Sequence, residues 1–234
     1  MQPEELVKLM NEYFTVMTDR VFAQGGSLDK YIGDAIMAIY GAPVVEPDHA
    51  ARACRSALDM MRALEELQQK WQAMGRPKIG IGVGINTGQV VVGNMGSATR
   101  FNYTVVGDHV NLASRIESLN KNYGTSILIS EYTYERVKDE FRDVREIDSV
   151  KVRGREQPVR LYELYAPGRY AADWLEEYRE AYAALRRGDL GRSTTMFQQL
   201  HARNGDLVSK IHALRQGADR RGGDRTISSD RTIA

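Results

Sequence analysis

Lys30-Tyr31-Ile32-Gly33-Asp34-Ala35-Ile36-Met37-Ala38 is the stretch on which the reading of this chain turns. Two apolar runs, Leu28 to Ile32 and Ala35 to Tyr40, flank Gly33-Asp34, the residue types of a tight hairpin turn. The pattern predicts a hairpin with a carboxylate at its tip. A turn Asp alone is commonplace, because Asp tolerates turn geometry. Before the hairpin, Leu6, Leu9, Met10, Tyr13, Phe14, Met17 and Val21 recur at helical spacing, from Pro3 in the first turn to the stop at Gln24-Gly25-Gly26. After it, Pro47-Asp48 announces a second long helix through Ala50, Cys54, Ala57, Met61, Leu64 and Trp71, stopped by Gly75-Arg76-Pro77.

Further along, Ile79 to Ile85, Val90 to Val92 and Phe101 to Val106 read as strands, and Gly107-Asp108 opens a helix to about Tyr123. A buried strand at Ile127 to Ile129, a short helix from Glu131 to Lys138, and strands near Arg145 to Val152 and Val159 to Tyr165 complete the series. The order α-β-β-α-β-β-α-β-α-β-β predicts an α+β or mixed α/β domain ending near residue 166. Residues 167–216 read as a helical extension. Its first two helices resemble one tetratricopeptide-like hairpin, although a single copy is weak evidence for a repeat array. The Arg/Asp/Gly/Ser-rich residues 217–234 read as a disordered tail.

Composition narrows the function. Among 234 residues, 32 Lys and Arg balance 31 Asp and Glu, which argues against a basic surface built to coat nucleic acid. No apolar run reaches the roughly 20 residues of a membrane span, and the acidic start lacks a signal-peptide core. A soluble, cytoplasmic protein is expected. The single Cys54 excludes a disulfide framework and multi-cysteine metal sites, and its place among alanines suits a small core residue.

Several segments could carry chemistry. Asn111 and Arg115, four apart, project from one helical face beside Ser114 and Ser118, with Leu112, Ala113, Ile116 and Leu119 opposite. Gly80, Gly82, Gly84 and Gly88 crowd one strand region, which weakens a strand unless another backbone approaches closely. Lys151, Arg153 and Arg155 form a cation cluster, a solvated group or an anion site. The four histidines lack ligand spacing and read as surface or capping residues.

Together, residues 26–38, Gly84-Ile85-Asn86-Thr87-Gly88, residues 105–117 and Val152-Arg153-Gly154-Arg155 resemble the catalytic domain of class III adenylate/guanylate cyclases. The resemblance runs in the family's order over residues 1–166. It implies a ferredoxin-like, palm-type core and a head-to-tail homodimer with active sites at the interface. The implied reaction is attack of the ATP ribose 3′-hydroxyl on its own α-phosphate, giving 3′,5′-cyclic AMP and pyrophosphate with two Mg²⁺ or Mn²⁺ ions. On that pattern Asp34 binds metal, Asn111 orients the ribose and Arg115 stabilises the transition state. Arg153 stands where the family often has a triphosphate-binding Lys, exchanging a point cation for a fork. Lys30 and Thr104 match the base-reading pair. Lys donates to the adenine ring nitrogen and Thr accepts from the exocyclic amine, so adenine is favoured over guanine.

One departure stands out. The family's second metal-binding Asp lies in a Phe-x-Asp-Ile-x-Gly-Phe-Thr segment on a central first strand, and this sequence begins at the following helix. Its absence is expected to leave neighbouring backbone groups unpaired and the chain by itself with little activity. Three accounts follow: a fragment or mis-started reading frame of a complete cyclase, a non-catalytic dimerisation or nucleotide-binding module, or a partner that supplies the strand. An upstream regulatory domain or a protein partner for the C-terminal helices fits the same picture.

Overall fold

The apolar stripe at the start of the chain becomes α1 (Pro3–Ala23), whose buried Leu9, Tyr13, Met17 and Val21 repeat every four residues. It lies along α2 (His49–Ala73), and Ala63, Leu64, Leu67 and Trp71 complete a shared core. The computed structural model describes residues 2–97, 99–151 and 157–219. Where the helices meet, the indole of Trp71 donates to Glu12 at 2.8 Å, and Lys70 and Arg76 pair with the same carboxylate. These three donors, the Lys70 and Trp71 hydrogen bonds first, hold the Glu12 carboxyl below its ordinary pKa.

Between α1 and α2 lies the expected hairpin, β1 (Ser27–Ile32) paired antiparallel with β2 (Ala35–Ile39). After α2 come β3 (Val83–Ile85), β4 (Val91–Gly96), β5 (Phe101–Val106) and α3 (Asp108–Tyr123). Then follow β6 (Ile127–Ser130), α4 (Glu131–Val137), β7 (Val144–Val150) and β8 (Val159–Leu164). The described strands form a four-stranded sheet in the order β3-β6-β8-β7 and two hairpins, β1-β2 and β4-β5. This is an α+β architecture with a C-terminal helical region.

Two strand readings need adjustment. Residues 79–82 do not join β3, because in the parallel ladder Val83 already pairs Ile127, the first residue of β6, and the Ile79 carbonyl instead accepts from Gln68 at 2.6 Å. The strand expected at 90–92 runs on to Gly96, because β5 offers a full six-residue partner from Phe101 to Val106.

The C-terminal helices α5 (Ala172–Arg186), α6 (Leu190–Asn204) and α7 (Leu207–Asp219) share a core with the sheet and with α3. Trp174, Tyr178 and Phe197 are buried among Leu112, Ile116 and Ile147. Arg145 on β7 ties them together electrostatically. Its guanidinium, 1% exposed, donates to Glu163 at 2.7 Å and to both oxygens of Asp206 at 2.8 and 3.1 Å. Tyr170 accepts from it at 3.0 Å, and its carbon lies 4.5 Å from that ring and 4.7 Å from Tyr178. A planar, five-donor cation can satisfy two carboxylates and stack on aromatics at once, which Lys cannot.

The histidine reading is corrected at one position. His212 is buried at 3% exposure, because Nε2 is 2.7 Å from the Ile147 carbonyl and the ring stacks on Phe197 at 4.8 Å. Cys54 is a fully buried core residue, and burial pushes its thiol up to about 12. The third helix of the extension runs three residues past the boundary at 216. Residues 220–234, read as a disordered tail, lie outside the described residues. Among the described residues, no helix is long and apolar enough to cross a membrane.

Candidate functional site

Asp34 occupies the expected hairpin tip, exposed to solvent. Gly33 precedes it with φ +63°, a backbone state that costs side-chain-bearing residues, so the turn depends on Gly there. Beyond the tip, a cleft of about 620 Å³ opens between the β1-β2 hairpin, α2, β3 and α3. Asp34, Asn86, Asn111 and Glu117 contribute its polar lining, and Ile36, Ala57 and Val83 are among its apolar residues.

The polar face of α3 reaches this cleft because the helix sits against β3 almost backbone to backbone. A Cβ on Gly84 would fall 2.3 Å from the Glu117 nitrogen and 2.4 Å from the Ala113 oxygen. The glycine-rich strand is therefore a seat for α3, the close approach that strand glycines imply. Asn86 fastens the first turn of the same helix. Its Nδ2 donates to the His109 carbonyl at 2.8 Å and lies 3.1 Å from His109 Nδ1, and its Oδ1 accepts from Ser130 at 2.7 Å. Asn111 and Arg115 are both exposed one turn apart, with Leu112 and Ile116 fully buried beneath them. Asn111 lines the cleft.

Lys30 and Thr104 come together although they lie on different hairpins. The Thr104 hydroxyl donates to Asp29 Oδ2 at 3.0 Å, and Lys30 Nζ lies 3.3 Å from the same oxygen. Asp29 was passed over in the sequence, since an Asp next to a Lys in a strand reads as solvated. Its side chain is 1% exposed, because a register shift between Leu28 and Lys30 makes it the extra residue of a bulge and re-aims it. Its Oδ1 is buried without a hydrogen-bond partner, a state that costs about 1–3 kcal/mol.

Glu117 was also missed as a site residue. Burial raises its carboxyl above the ordinary range against a lowering hydrogen bond with Ser118, and the charge of Asp34 adds a smaller push in the same direction as burial. Its spacing of three from Ser114 on the polar face was the available signal. Arg153 lies outside the described residues, as do Val152, Gly154 and Arg155 of the cation cluster.

Asp34 offers exposed hard oxygens at a turn with Glu117 within electrostatic reach, which fits Mg²⁺ or Mn²⁺. Such ions take one or two carboxylates and complete their shell with phosphate and water. Among the described residues no three His, Cys, Asp or Glu side chains gather into a cage.

A carboxylate-tipped hairpin, a polar helix face seated on a glycine strand, and a Lys/Thr pair are thus arranged on one α+β scaffold. The profile of the "Adenylate and Guanylate cyclase catalytic domain" family matches residues 1–166, and the chain belongs to that family. It is 39% identical over 162 residues to Adenylate cyclase 1 of Rhizobium meliloti, covering 69% of this chain and 24% of that protein. To the Adenylate cyclase of Anabaena cylindrica it is 40% identical over 169 residues, 71% of this chain and 33% of the other. The chain thus spans about a quarter to a third of the length of these relatives. Among solved structures, the adenylyl cyclase CyaB from P. aeruginosa superposes with a TM-score of 0.66 at 35% identity, covering 74% of this chain and 88% of that one. The guanylyl cyclase Cya2 gives 0.62 at 38% identity, covering 73% and 87%.

Proposed function

We propose that this domain is an adenylate cyclase, converting ATP to 3′,5′-cyclic AMP and pyrophosphate in cyclic-nucleotide signalling. The observation that carries the reading is that Lys30 and Thr104 meet at one Asp29 oxygen. In that arrangement Lys30 donates to the adenine ring nitrogen and Thr104 accepts from the 6-amino group. Asn111 orients the ribose so that its 3′-oxygen faces the α-phosphate. The O3′–Pα bond forms as the bond to pyrophosphate breaks, and the hydroxyl proton passes to solvent. Arg115 meets the charge that develops on the α-phosphate. Arg153 grips the triphosphate, and Asp34 holds the divalent cation. When bound, that cation polarises the hydroxyl and neutralises phosphate charge.

Asp34 and the Asn111/Arg115 pair act on the same substrate from different protomers, so the active form is a homodimer. The domain works in the cytoplasm, with an upstream regulatory domain or a protein partner controlling it. A second reading, a nucleotide-binding module without turnover, is favoured by one observation. Among the described residues, Asp34 and Glu117 are the only acids lining the cleft and no larger metal-ligating cluster forms.

The test measures cyclic AMP from ATP and cyclic GMP from GTP, with Mn²⁺ or Mg²⁺. It compares the 234-residue chain with one carrying a Phe-x-Asp-Ile-x-Gly-Phe-Thr strand ahead of Met1. Cyclic AMP from the extended chain, lost in Asp34→Ala and restored by mixing Asp34→Ala with Arg115→Ala chains, supports the cyclase reading. A preference for GTP, or turnover indifferent to Asp34→Ala, refutes it.

A further inference from the structure

We infer that Asp29 is the residue that sets the nucleotide specificity of this site, by fixing the direction of the Thr104 hydroxyl. The inference rests on the base-reading role proposed for Lys30 and Thr104 and deepens it. A threonine hydroxyl carries one proton and two lone pairs and rotates to suit its partner. Left free, Thr104 would accept from an adenine 6-amino group or donate to a guanine 6-carbonyl with equal ease. By itself it would select neither base.

The structure removes that freedom. Thr104 is 6% exposed, which leaves its hydroxyl few competing partners. Its Oγ1 lies 3.0 Å from Asp29 Oδ2 and spends its only proton there. A carboxylate has no proton to give back, so what Thr104 presents to a nucleotide is a lone pair. An amino group satisfies it. A carbonyl oxygen meets another acceptor and is turned away. The same Oδ2 lies 3.3 Å from Lys30 Nζ, which keeps the ammonium beside the hydroxyl as the second element of the pattern.

Folding alone gives no reason for the carboxylate. Asp29 is placed inward by a bulge that interrupts β1, and its Oδ1 is left buried without a partner. A small apolar residue would fill the position without that burden, and an Asn would carry the same unpartnered polar atom without the charge. What Asp supplies and Asn does not is an acceptor with no donor face. An Asn at 29 can turn its NH₂ towards Thr104, which frees the hydroxyl proton to point at a guanine carbonyl. Asp29 is thus a positioning residue, acting on the base through Thr104.

The experiment measures ATP and GTP dissociation constants for the 234-residue chain by displacement of a fluorescent ATP analogue, so that turnover is not required. Asp29→Asn is expected to narrow the ratio of GTP to ATP dissociation constants by about tenfold, the worth of one reversed hydrogen bond. Asp29→Ala, which also frees the rotor, should narrow it too and stands in if the Asn protein melts early. Thr104→Ser keeps the hydroxyl and should keep the ratio. A ratio unchanged in both Asp29 variants, while Thr104→Val and Lys30→Met weaken ATP binding, overturns this inference and leaves the base-reading pair standing. ATP binding indifferent to Thr104→Val and Lys30→Met, or absent altogether, overturns the base-reading pair, and the Asp29 inference with it.

Discussion

Replacing Gly84 with Ala tests whether β3 is the seat of the helix that carries Asn111 and Arg115. The added methyl would lie 2.3 Å from the Glu117 nitrogen, 2.4 Å from the Ala113 oxygen and 2.7 Å from the Glu117 Cα, all backbone atoms of α3. Ordinary contacts of a Cβ begin near 3.4 Å, so the helix must retreat by about 1 Å. Backbone cannot swing aside as a flexible side chain can. Overpacking of this kind costs about 1–3 kcal/mol. A displacement of about 1 Å in a positioning element can also lower turnover by roughly 10²-fold.

Gly80 is the internal control. Nothing lies within 4 Å of the Cβ it would gain, and its φ is not in the left-handed region. Gly80→Ala should be neutral, or stabilising by about 0.4–1 kcal/mol through a less flexible unfolded chain. Urea unfolding followed by tryptophan fluorescence reads both variants. If Gly84→Ala unfolds at the same urea concentration as Gly80→Ala, α3 is not held against β3 as described.

Two further outcomes follow from the buried charges of the helical extension. Arg145→Met strands the carboxylates of Glu163 and Asp206, which are 1% and 5% exposed, and should cost about 3–5 kcal/mol. A thermal-melt loss below about 1 kcal/mol would show that the network does not tie the helices to β7. Burial holds the His212 imidazole below its ordinary pKa, against Asp148 and Asp206, which raise it, and alongside Arg215, which lowers it. The unfolded chain therefore binds a proton that the folded one refuses. Stability is complete above about pH 6.5 and falls below it by up to about 1.4 kcal/mol per unit. Asp206, whose pKa is lowered because Arg145 and Ser209 outweigh its burial, contributes only near and below about pH 4 and lies outside this window. Melting temperatures between pH 7.5 and 5.5 should decline in the wild type and flatten in His212→Asn, and equal slopes in the two would contradict the assignment.

Much of this protein was legible in one dimension because its signals are local. The Gly33-Asp34 turn, the four-residue stripe of α1 and the polar and apolar faces of α3 depend on neighbours within a turn or two, so spacing alone announces them. Family membership rests on the same kind of signal, since long motifs in fixed order survive without coordinates. Strand limits at β3 and β4 were another matter. A strand ends where its ladder partner ends: β6, the partner of β3, is distant in sequence, and β5, although only a turn away from β4, sets that strand's length through the ladder rather than through residue type.

Tertiary structure alone decided what Asp29 does, because its bulge turns it towards Thr104, 75 residues away. It alone showed that Arg145 is buried beneath the C-terminal helices and that His212 of α7 turns inward onto β7, where long-range packing rather than residue type fixes their partners. The sequence determined which polar groups are available and on which local face. Which of them meet, and in which direction a shared proton points, was settled only when elements far apart in the chain were brought within 3 Å of each other.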